Sequence, residues 1–389
     1  MKQAMDGHPS TKTLRAGDIE AHVVWFDSMG AKCSSVLVET PEVRILIDPG
    51  AAAMQPSFPL PTVEKAYYRS RAFEGISRAA EKADAVIISH YHYDHHTPLS
   101  RRVIDAVALY SGKTLWAKDP NRYINYSQWL RSRVFYEELC RSFGNIPLKR
   151  VERRPEQTDY PDPMDSIPSA RDKEYGSYRK RKLELLEKGR KWFEKLSKKV
   201  WAARPWISEL KFGGLDVKFA DGNELRMGGT RINFSPPLFH GIEFDRVGWV
   251  FATTIEHGGK KFLHSSDIQG PMIEDYADRI IRENPDILIL DGPPTYMLGY
   301  MLNRINLNRA VQNLCNIIRE TKTNIIIYDH HLPRDRLFKE RVKEVYRVGE
   351  EEGKRVLTAA EYLGDEPMVL KHSPKSGEIL SRYAKSRHL

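Results

Sequence analysis

Cysteine is scarce in this sequence of 389 residues, which contains only Cys33, Cys140 and Cys315. The number is odd, and no Cys-x-x-Cys pair occurs. Small domains held by several disulfides and zinc sites built from thiolates both need more cysteines at closer spacing. The sequence therefore argues against both classes of protein.

Long apolar runs are also missing. No stretch approaches the roughly 18–20 residues of a membrane span, and the segment Met1 to Arg15 is polar, without the apolar core of a signal peptide. Neither a Gly-x-Ser-x-Gly nucleophile elbow nor a P-loop occurs, so a serine nucleophile and a nucleotide-phosphate loop have no support. We expect a cytoplasmic protein that does not bind membranes.

Histidine, in contrast, is concentrated in one short segment. Four of the 13 histidines lie in Ser89-His90-Tyr91-His92-Tyr93-Asp94-His95-His96, directly after the apolar run Ala85-Val86-Ile87-Ile88. The spacing His-x-His-x-Asp-His puts three imidazoles and a carboxylate close together. Such a cluster is unfavourable in an apolar core and favourable for binding a metal ion. The octet therefore predicts a metal site.

Residues of the same types follow apolar runs later in the chain. His240 follows Ile232-Asn233-Phe234 and a Pro-Pro loop, Asp267 follows Phe262-Leu263, and Asp329-His330-His331 follows Ile325-Ile326-Ile327. Side chains at the ends of neighbouring strands can converge on one edge of a sheet, where open α/β architectures place their sites. These residues are therefore candidates for the same site as the octet.

The remaining pattern predicts a core interrupted by an insertion. We expect an N-terminal half of the core at 1–144, a charged helical insertion at 145–212, a C-terminal half at 213–365 and a basic tail at 366–389. Within the insertion, 171–203 predicts one long basic amphipathic helix. Its apolar face contains Leu183, Leu186, Phe193, Leu196 and Val200, and Gly189 is a weak point.

Taken together, the ordered motifs resemble those of the metallo-β-lactamase-fold superfamily of metal-dependent hydrolases. The resemblance is closest to an uncharacterised, mainly archaeal branch of predicted hydrolases. It rests on Ile47-Asp48-Pro49-Gly50, the segment Ser89 to Pro98, and Asp291-Gly292-Pro293-Pro294-Thr295-Tyr296. It implies an α/β protein with an αββα sandwich, here carrying the basic helical insertion.

The resemblance also implies two metal sites. His90, His92 and His240 would hold one ion, Asp94, His95 and His330 would hold the other, and Asp267 would bridge them. His331 is the alternative to His330, because adjacent residues of a continuing strand point in different directions. Asp48 and Asp329 would contact the ligand residues on the side away from the metal ions and hold them in position. All donors are nitrogen or oxygen, which favours two Zn²⁺ ions and also suits Mn²⁺ or Fe.

The implied chemistry is hydrolysis by a hydroxide that bridges two metals, with Asp94 as the catalytic residue that orients it. Tyr296, Arg131 and Arg133 are candidate substrate contacts. The formal net charge of +9 and the basic insertion favour a phosphodiester, with nucleic acid as the candidate partner. The alternatives are a small lactone, thioester or phosphoester, and a binding module whose metals are structural. The sequence leaves the oligomeric state open.

Overall fold

Two stacked β-sheets form the centre of the computed structural model, which describes residues 12–101 and 104–371. The first sheet contains, in spatial order, β1 (Thr13–Ala16), β2 (Ile19–Phe26), β3 (Ser34–Glu39), β4 (Arg44–Ile47), β5 (Ala85–Ile88), β6 (Lys113–Ala117), β10 (Leu215–Phe219) and β9 (Leu210–Phe212). Strands β4, β5, β6 and β10 are mutually parallel, and the others are antiparallel to their neighbours.

The second sheet is built in the same way from the later part of the chain. It contains β11 (Glu224–Met227), β12 (Thr230–Phe234), β15 (Thr253–His257), β16 (Lys260–His264), β17 (Ile287–Asp291), β18 (Ile325–Asp329) and β19 (Arg355–Leu357), of which β16 to β19 are parallel. Two short ribbons pair β7 (Glu152–Arg153) with β8 (Trp206–Ile207) and β13 (Leu238–Phe239) with β14 (Trp249–Val250).

Alternation along the strands explains why the sheets stack. In β4, Ile45 and Ile47 face the core between the two sheets, whereas Leu46 faces the core beneath the helices. In β17, Ile289 likewise faces the core between the sheets, and Leu288 faces the core beneath the helices. Because successive side chains of a strand point to opposite faces, a strand that is apolar throughout must be covered on both sides.

Helices cover the outer faces. They are α1 (Thr62–Lys82), α2 (Ala106–Tyr110), α3 (Tyr126–Gly144), α4 (Pro168–Asp172), α5 (Arg179–Leu196), α6 (Glu274–Glu283), α7 (Arg304–Glu320), α8 (Phe338–Arg341), α9 (Lys343–Glu351) and α10 (Ala359–Leu363). The predicted αββα sandwich is confirmed. Among the residues that the structure describes, none of the helices combines the length and the apolar character needed to cross a membrane.

The predicted insertion lies between α3 and the first sheet, and its last three residues form β9. The prediction of one helix over 171–203 was wrong. Helix α4 stops where Lys173 takes an extended backbone, α5 begins at Arg179, and Ser197–Trp201 forms a wider helical turn. Leu183, expected on the apolar face, is 57% exposed. Most of the predicted tail, residues 372–389, lies outside the described residues.

Helix α5 packs tightly on the core beside the loop that follows His240. The rings of Trp192 and Trp249 stack at 5.4 Å, and Phe193 contacts Phe244 at 6.2 Å between ring centroids. A Cβ atom on Gly189 would lie 2.5 Å from the Phe244 side chain. Gly189 is therefore a site of close approach, rather than the weak point that its helix propensity suggests.

This close approach can be tested, because packing and helix propensity predict changes of opposite sign in the free energy of unfolding. In an exposed helix, Gly→Ala stabilises by about 1 kcal/mol. We expect Gly189→Ala to lower the free energy of unfolding by about 1–3 kcal/mol, because the new methyl group displaces Phe244. Urea denaturation measures the change, with Lys188→Ala on the exposed face of the same helix as the matched control. A Gly189→Ala variant as stable as the wild type would contradict the packing.

Candidate metal centre

The histidine octet forms a tight loop after β5. The peptide N–H groups of His95 and His96 both donate to the carbonyl oxygen of His92, at 3.0 and 3.1 Å, so the loop closes as a helical turn. Gly50 lies against it, since a Cβ atom there would come within 2.3 Å of the His96 nitrogen. The glycine of the Asp-Pro-Gly turn therefore allows the loop to sit directly on the end of β4.

Asp48, in that same turn, holds the loop from behind. Its carboxylate accepts hydrogen bonds from the peptide N–H and the hydroxyl of Ser89, both at 2.7 Å. The carboxylate also lies 2.9 Å from Nδ1 of His95. A hydrogen bond at Nδ1 orients the ring so that Nε2 points the other way, as supporting residues do behind metal ligands. This is the place that the sequence predicted for Asp48.

Four imidazole nitrogens surround one oxygen of Asp267. The Nε2 atoms of His240, His95, His330 and His90 lie 3.0, 3.1, 3.4 and 3.5 Å from Asp267 Oδ2. Asp267 is 1% exposed. Loops from both sheets thus bring their ligand-type atoms to one buried point.

Donor atoms within 4.8 Å of one another define three overlapping groups: His90, His92, His240 and Asp267; Asp94, His95 and His330; and Asp267, His330 and His331. The structure therefore brings together every residue that the sequence predicted as a ligand. The first two groups match the two predicted sites, and Asp267 lies between them.

The geometry separates the two adjacent histidines. His330 has a left-handed backbone, with φ of 65°, and its Nε2 atom lies 3.2 Å from Nε2 of His95. The Nδ1 atom of His331 lies 2.8 Å from Asp291 Oδ1, and His331 groups with Asp267 and His330 instead. The structure thus places His330 with Asp94 and His95. A left-handed backbone at a non-glycine residue is strained, and such residues cluster at functional sites.

Burial and neighbouring charge set the protonation of the site. Burial alone would raise the pKa of Asp267, but His95, His330 and His90 hold it well below its usual range. Burial also opposes charge on His95, yet Asp267 and Asp48 raise its pKa to about 10. A metal ion bound here would therefore compete with protons for the ring nitrogens.

One atom at the centre points directly to a cation. Oδ1 of Asp267 is buried and has no hydrogen-bond partner among the described residues. Leaving a buried carboxylate oxygen unsatisfied is costly. The lone pairs of His90 and His92 are also available, because burial keeps the pKa of both rings well below the usual value. The donor set fits divalent metal ions that accept nitrogen and oxygen ligands.

Known proteins show which family shares this arrangement. UPF0282 proteins of the archaea Methanopyrus kandleri and Korarchaeum cryptofilum are both 33% identical to the chain. The first alignment covers 89% of this chain and 94% of the relative, and the second covers 88% and 89%. The chain belongs to the UPF0282 family.

The wider resemblance is confirmed as well. The profile of the Metallo-beta-lactamase superfamily matches residues 30–96, the stretch that ends with the histidine octet. Among solved structures, the chain is similar to Igni18, described as a novel metallo hydrolase from the archaeon Ignicoccus hospitalis. That match has 14% identity and a TM-score of 0.32, and it covers 87% of this chain and 93% of the other.

A cavity of about 380 Å³ opens over the site. Arg131 and Tyr296, two of the predicted substrate contacts, lie on its wall, together with Asp94. Arg133 does not line it. The Arg133 guanidinium instead lies over the Trp129 ring and donates to the carbonyl of Pro205 at 2.9 Å. Arg133 therefore ties α3 to the end of the insertion.

Asp329 supports the site through the backbone. Its carboxylate accepts from the peptide N–H groups of Ser28, His330 and Ala359, at 3.1, 2.6 and 2.8 Å. It contacts no ligand ring, so it holds the turn after β18 rather than an imidazole. Burial raises the pKa of Asp329 to about 6.

Several supporting residues were not predicted. Asp27 lies 3.1 Å from Nδ1 of His330, and Gln269 lies 3.2 Å from Nδ1 of His240. Lys32 and Arg334 line the cavity. Asp27 and Asp291 carried a usable signal, because each lies at the end of an apolar strand, as the predicted ligands do. Lys32, Gln269 and Arg334 carried no such signal.

The loop after His240 is anchored by a buried ionic network. Arg309 of α7 pairs with Glu243 in this loop and with Glu274 of α6, and the Arg309 side chain is 4% exposed. Tyr175 of the insertion donates to Glu274 at 3.0 Å. The network thus joins the insertion, two helices and the loop that carries a ligand.

The network predicts a pH-dependent contribution to stability. Burial opposes the charge of Glu274, but Arg309 lowers its pKa from 4.5 to about 2. A depressed carboxylate pKa stabilises the fold above pH 4.5, and this contribution is lost as the pH falls toward 2. We expect Glu274→Gln to cost on the order of 2 kcal/mol at pH 7, and much less at pH 3.

Urea titrations of the wild type and the variant at both pH values measure this difference. Glu340→Gln, at a carboxylate that is 70% exposed and paired with Lys343, is the control and should change stability little at either pH. An equal cost of Glu274→Gln at pH 7 and pH 3 would show that the pairing with Arg309 does not stabilise the fold.

Proposed function

We propose that the protein is a hydrolase that uses two divalent metal ions. The observation that carries the proposal is the position of Asp267, because its Oδ2 atom lies within 3.5 Å of ring nitrogens from both predicted sites: His90 and His240 of one, and His95 and His330 of the other. His90, His92 and His240 would hold one ion, and Asp94, His95 and His330 the other. Two such ions supply a hydroxide nucleophile at neutral pH and polarise the attacked group.

The protein's own residues then orient the reactants. Asp94 is 16% exposed and faces the cavity. Burial opposes its charge, but His95 and His330 keep its pKa below the usual value. Asp94 therefore stays ionised and can accept a hydrogen bond from the attacking oxygen. Zinc remains the default ion, and Mn²⁺ and Fe suit the same donors.

A phosphoester is the substrate class that the cavity supports best. Lys32 and Arg131 reach the cavity wall, and neither has a carboxylate within salt-bridge distance among the described residues. Arg334 adds a third cation. An anionic ester would pair with these groups. A neutral lactone or thioester would leave the Lys32 and Arg131 charges unpaired.

Nucleic acid is a second candidate substrate with the same phosphoester chemistry, and its structural support is less direct. On α5 and the turn that follows it, Arg181, Lys191 and Lys198 pair with glutamates of α5. Of the other basic residues in these two elements, Lys180, Lys188, Lys195 and Lys199 have no acidic partner in the part of the chain that the structure describes. These four cations keep RNA or single-stranded DNA as a substrate to test, and such binding should weaken steeply with salt.

Metal content tests the two-ion proposal. We expect about two zinc ions per wild-type chain after loading and dialysis, measured by inductively coupled plasma mass spectrometry. His92→Ala and Asp94→Ala should each retain about one ion, and Asp267→Ala fewer than either, because its carboxylate serves both groups. His257→Ala, at a histidine beside Glu42, is the control and should keep both ions. One ion per wild-type chain would refute the proposal.

Activity tests the substrate class. Zinc- and manganese-loaded protein should hydrolyse bis(4-nitrophenyl) phosphate with a higher kcat/KM than a lactone or a thioester. Asp94→Asn should lower kcat by at least about 100-fold, and circular dichroism should show that the variant is folded. Asp365→Asn, on the exposed surface, should leave the rate unchanged. Faster turnover of the lactone or thioester would contradict the phosphoester assignment, and a structured RNA in the same panel tests the nucleic-acid alternative.

A further inference from the structure

The walls of the cavity differ sharply in character. Lys32, Arg131 and Arg334 bring positive charge to the part that contains Asp94. Other parts of the wall are formed by Ile242, Met272, Met297, Met301 and Leu302. A cavity that only had to hold a phosphate group would not need this apolar surface.

The cationic wall is built from side chains in fixed positions. Arg334 is 4% exposed, pairs with the buried Asp27 and has its Nη2 atom 3.6 Å from Asp94 Oδ2, so Lys32 and Arg131 are the cations without a carboxylate partner among the described residues. The Arg131 guanidinium lies over the ring of Tyr93, 5.0 Å from its centroid. Tyr296 lies below Arg334, with its hydroxyl oxygen 3.5 Å from Nη1. An anion that entered here would meet cations already oriented, which lowers the entropic cost of binding.

The apolar wall continues to the protein surface. Met301 lines the cavity and is nevertheless 62% exposed, and the neighbouring Tyr300 is 86% exposed. Large apolar side chains exposed beside a cavity mark a surface that another molecule covers. Methionine is flexible and polarisable, so it adapts to apolar groups of different shape.

The volume limits what can enter. About 380 Å³ is near the lower end of the range for small-molecule pockets, which starts at roughly 300 Å³. The cavity can therefore enclose one anionic group and a short apolar chain or ring.

We propose that the natural substrate is a small amphiphile, in which a phosphoester lies beside Lys32, Arg131 and Arg334 and an aliphatic or aromatic group lies on the methionine wall. This inference rests on the proposed hydrolase function. It adds a specificity subsite, formed by Met272, Met297, Met301 and Leu302, which selects substrates by their apolar part.

Binding of phosphonates tests the subsite without requiring turnover. Isothermal titration calorimetry would compare methylphosphonate, hexylphosphonate and hexyltrimethylammonium on zinc-loaded wild-type protein. Burying the added methylenes should make hexylphosphonate bind at least about tenfold tighter than methylphosphonate. The cationic amphiphile should not bind, because it meets cations on the wall.

Variants show which residues cause the preference for the hexyl chain and which bind the phosphonate group. The double change Met297→Ser and Met301→Ser should remove the preference for the hexyl chain and leave methylphosphonate binding unchanged. Lys32→Met should weaken both phosphonates. Leu183→Ser, at a leucine that is similarly exposed but lies outside the cavity, and Lys188→Met on α5 are matched controls that should change neither affinity.

The outcomes separate this inference from the proposed function. Equal affinity for the two phosphonates, binding of hexyltrimethylammonium, or a hexyl preference that survives both methionine changes would overturn the amphiphile subsite, even if phosphodiesters are hydrolysed. A hexyl preference that the methionine changes abolish supports the subsite. If such a protein hydrolyses no ester, the hydrolase proposal fails and the subsite remains as a binding site.

Discussion

The interaction on which the site depends is the contact of one buried carboxylate oxygen, Asp267 Oδ2, with four imidazole nitrogens. The four rings come from loops that are up to 240 residues apart in the chain, at His90, His95, His240 and His330. A carboxylate that is 1% exposed cannot remain ionised in an apolar interior without compensating positive charge. The four imidazoles, or metal ions bound among them, are the groups placed to supply that charge.

The architecture explains how the loops meet. In parallel strands the carboxyl ends lie at one edge of the sheet, and β5, β16 and β18 each end just before a ligand-type residue. Residues behind the rings then set their direction. Asp48 faces Nδ1 of His95, and Asp27 faces Nδ1 of His330. Since each of these two rings has one nitrogen engaged outside the centre, the other is left for the metal.

Much of this arrangement could be predicted because short local sequence patterns mark the residues that form it. Each ligand follows an apolar strand, and the octet places His90, His92, Asp94 and His95 in a single loop. His330 was predicted with His331 as its alternative, and the sequence could not separate the two, since the left-handed backbone at His330 has no signal in the sequence. The roles of Lys32 and Arg334 could not be predicted either, because these residues lie in loops that meet only in the folded chain. The helix predicted over 171–203 was too long because the charged composition begins before α5, where Lys173 takes an extended backbone.

The insertion has a structural role that its composition does not reveal. Its positive charge suggested a surface for nucleic acid, yet its aromatic residues bind α5 to the loop after His240, and its Tyr175 joins the network around Arg309. The insertion therefore supports one wall of the site. We propose that substrate selection depends instead on the cavity beside the candidate metal centre, which Lys32, Arg131 and several methionines line.

Anomalous X-ray diffraction from zinc-loaded crystals, recorded above and below the zinc absorption edge, would show whether Asp267 serves two metal ions. We expect two anomalous peaks roughly 3.5–4 Å apart, with the carboxylate of Asp267 in contact with both. A single peak, or two peaks of which one lies away from Asp267, would contradict it.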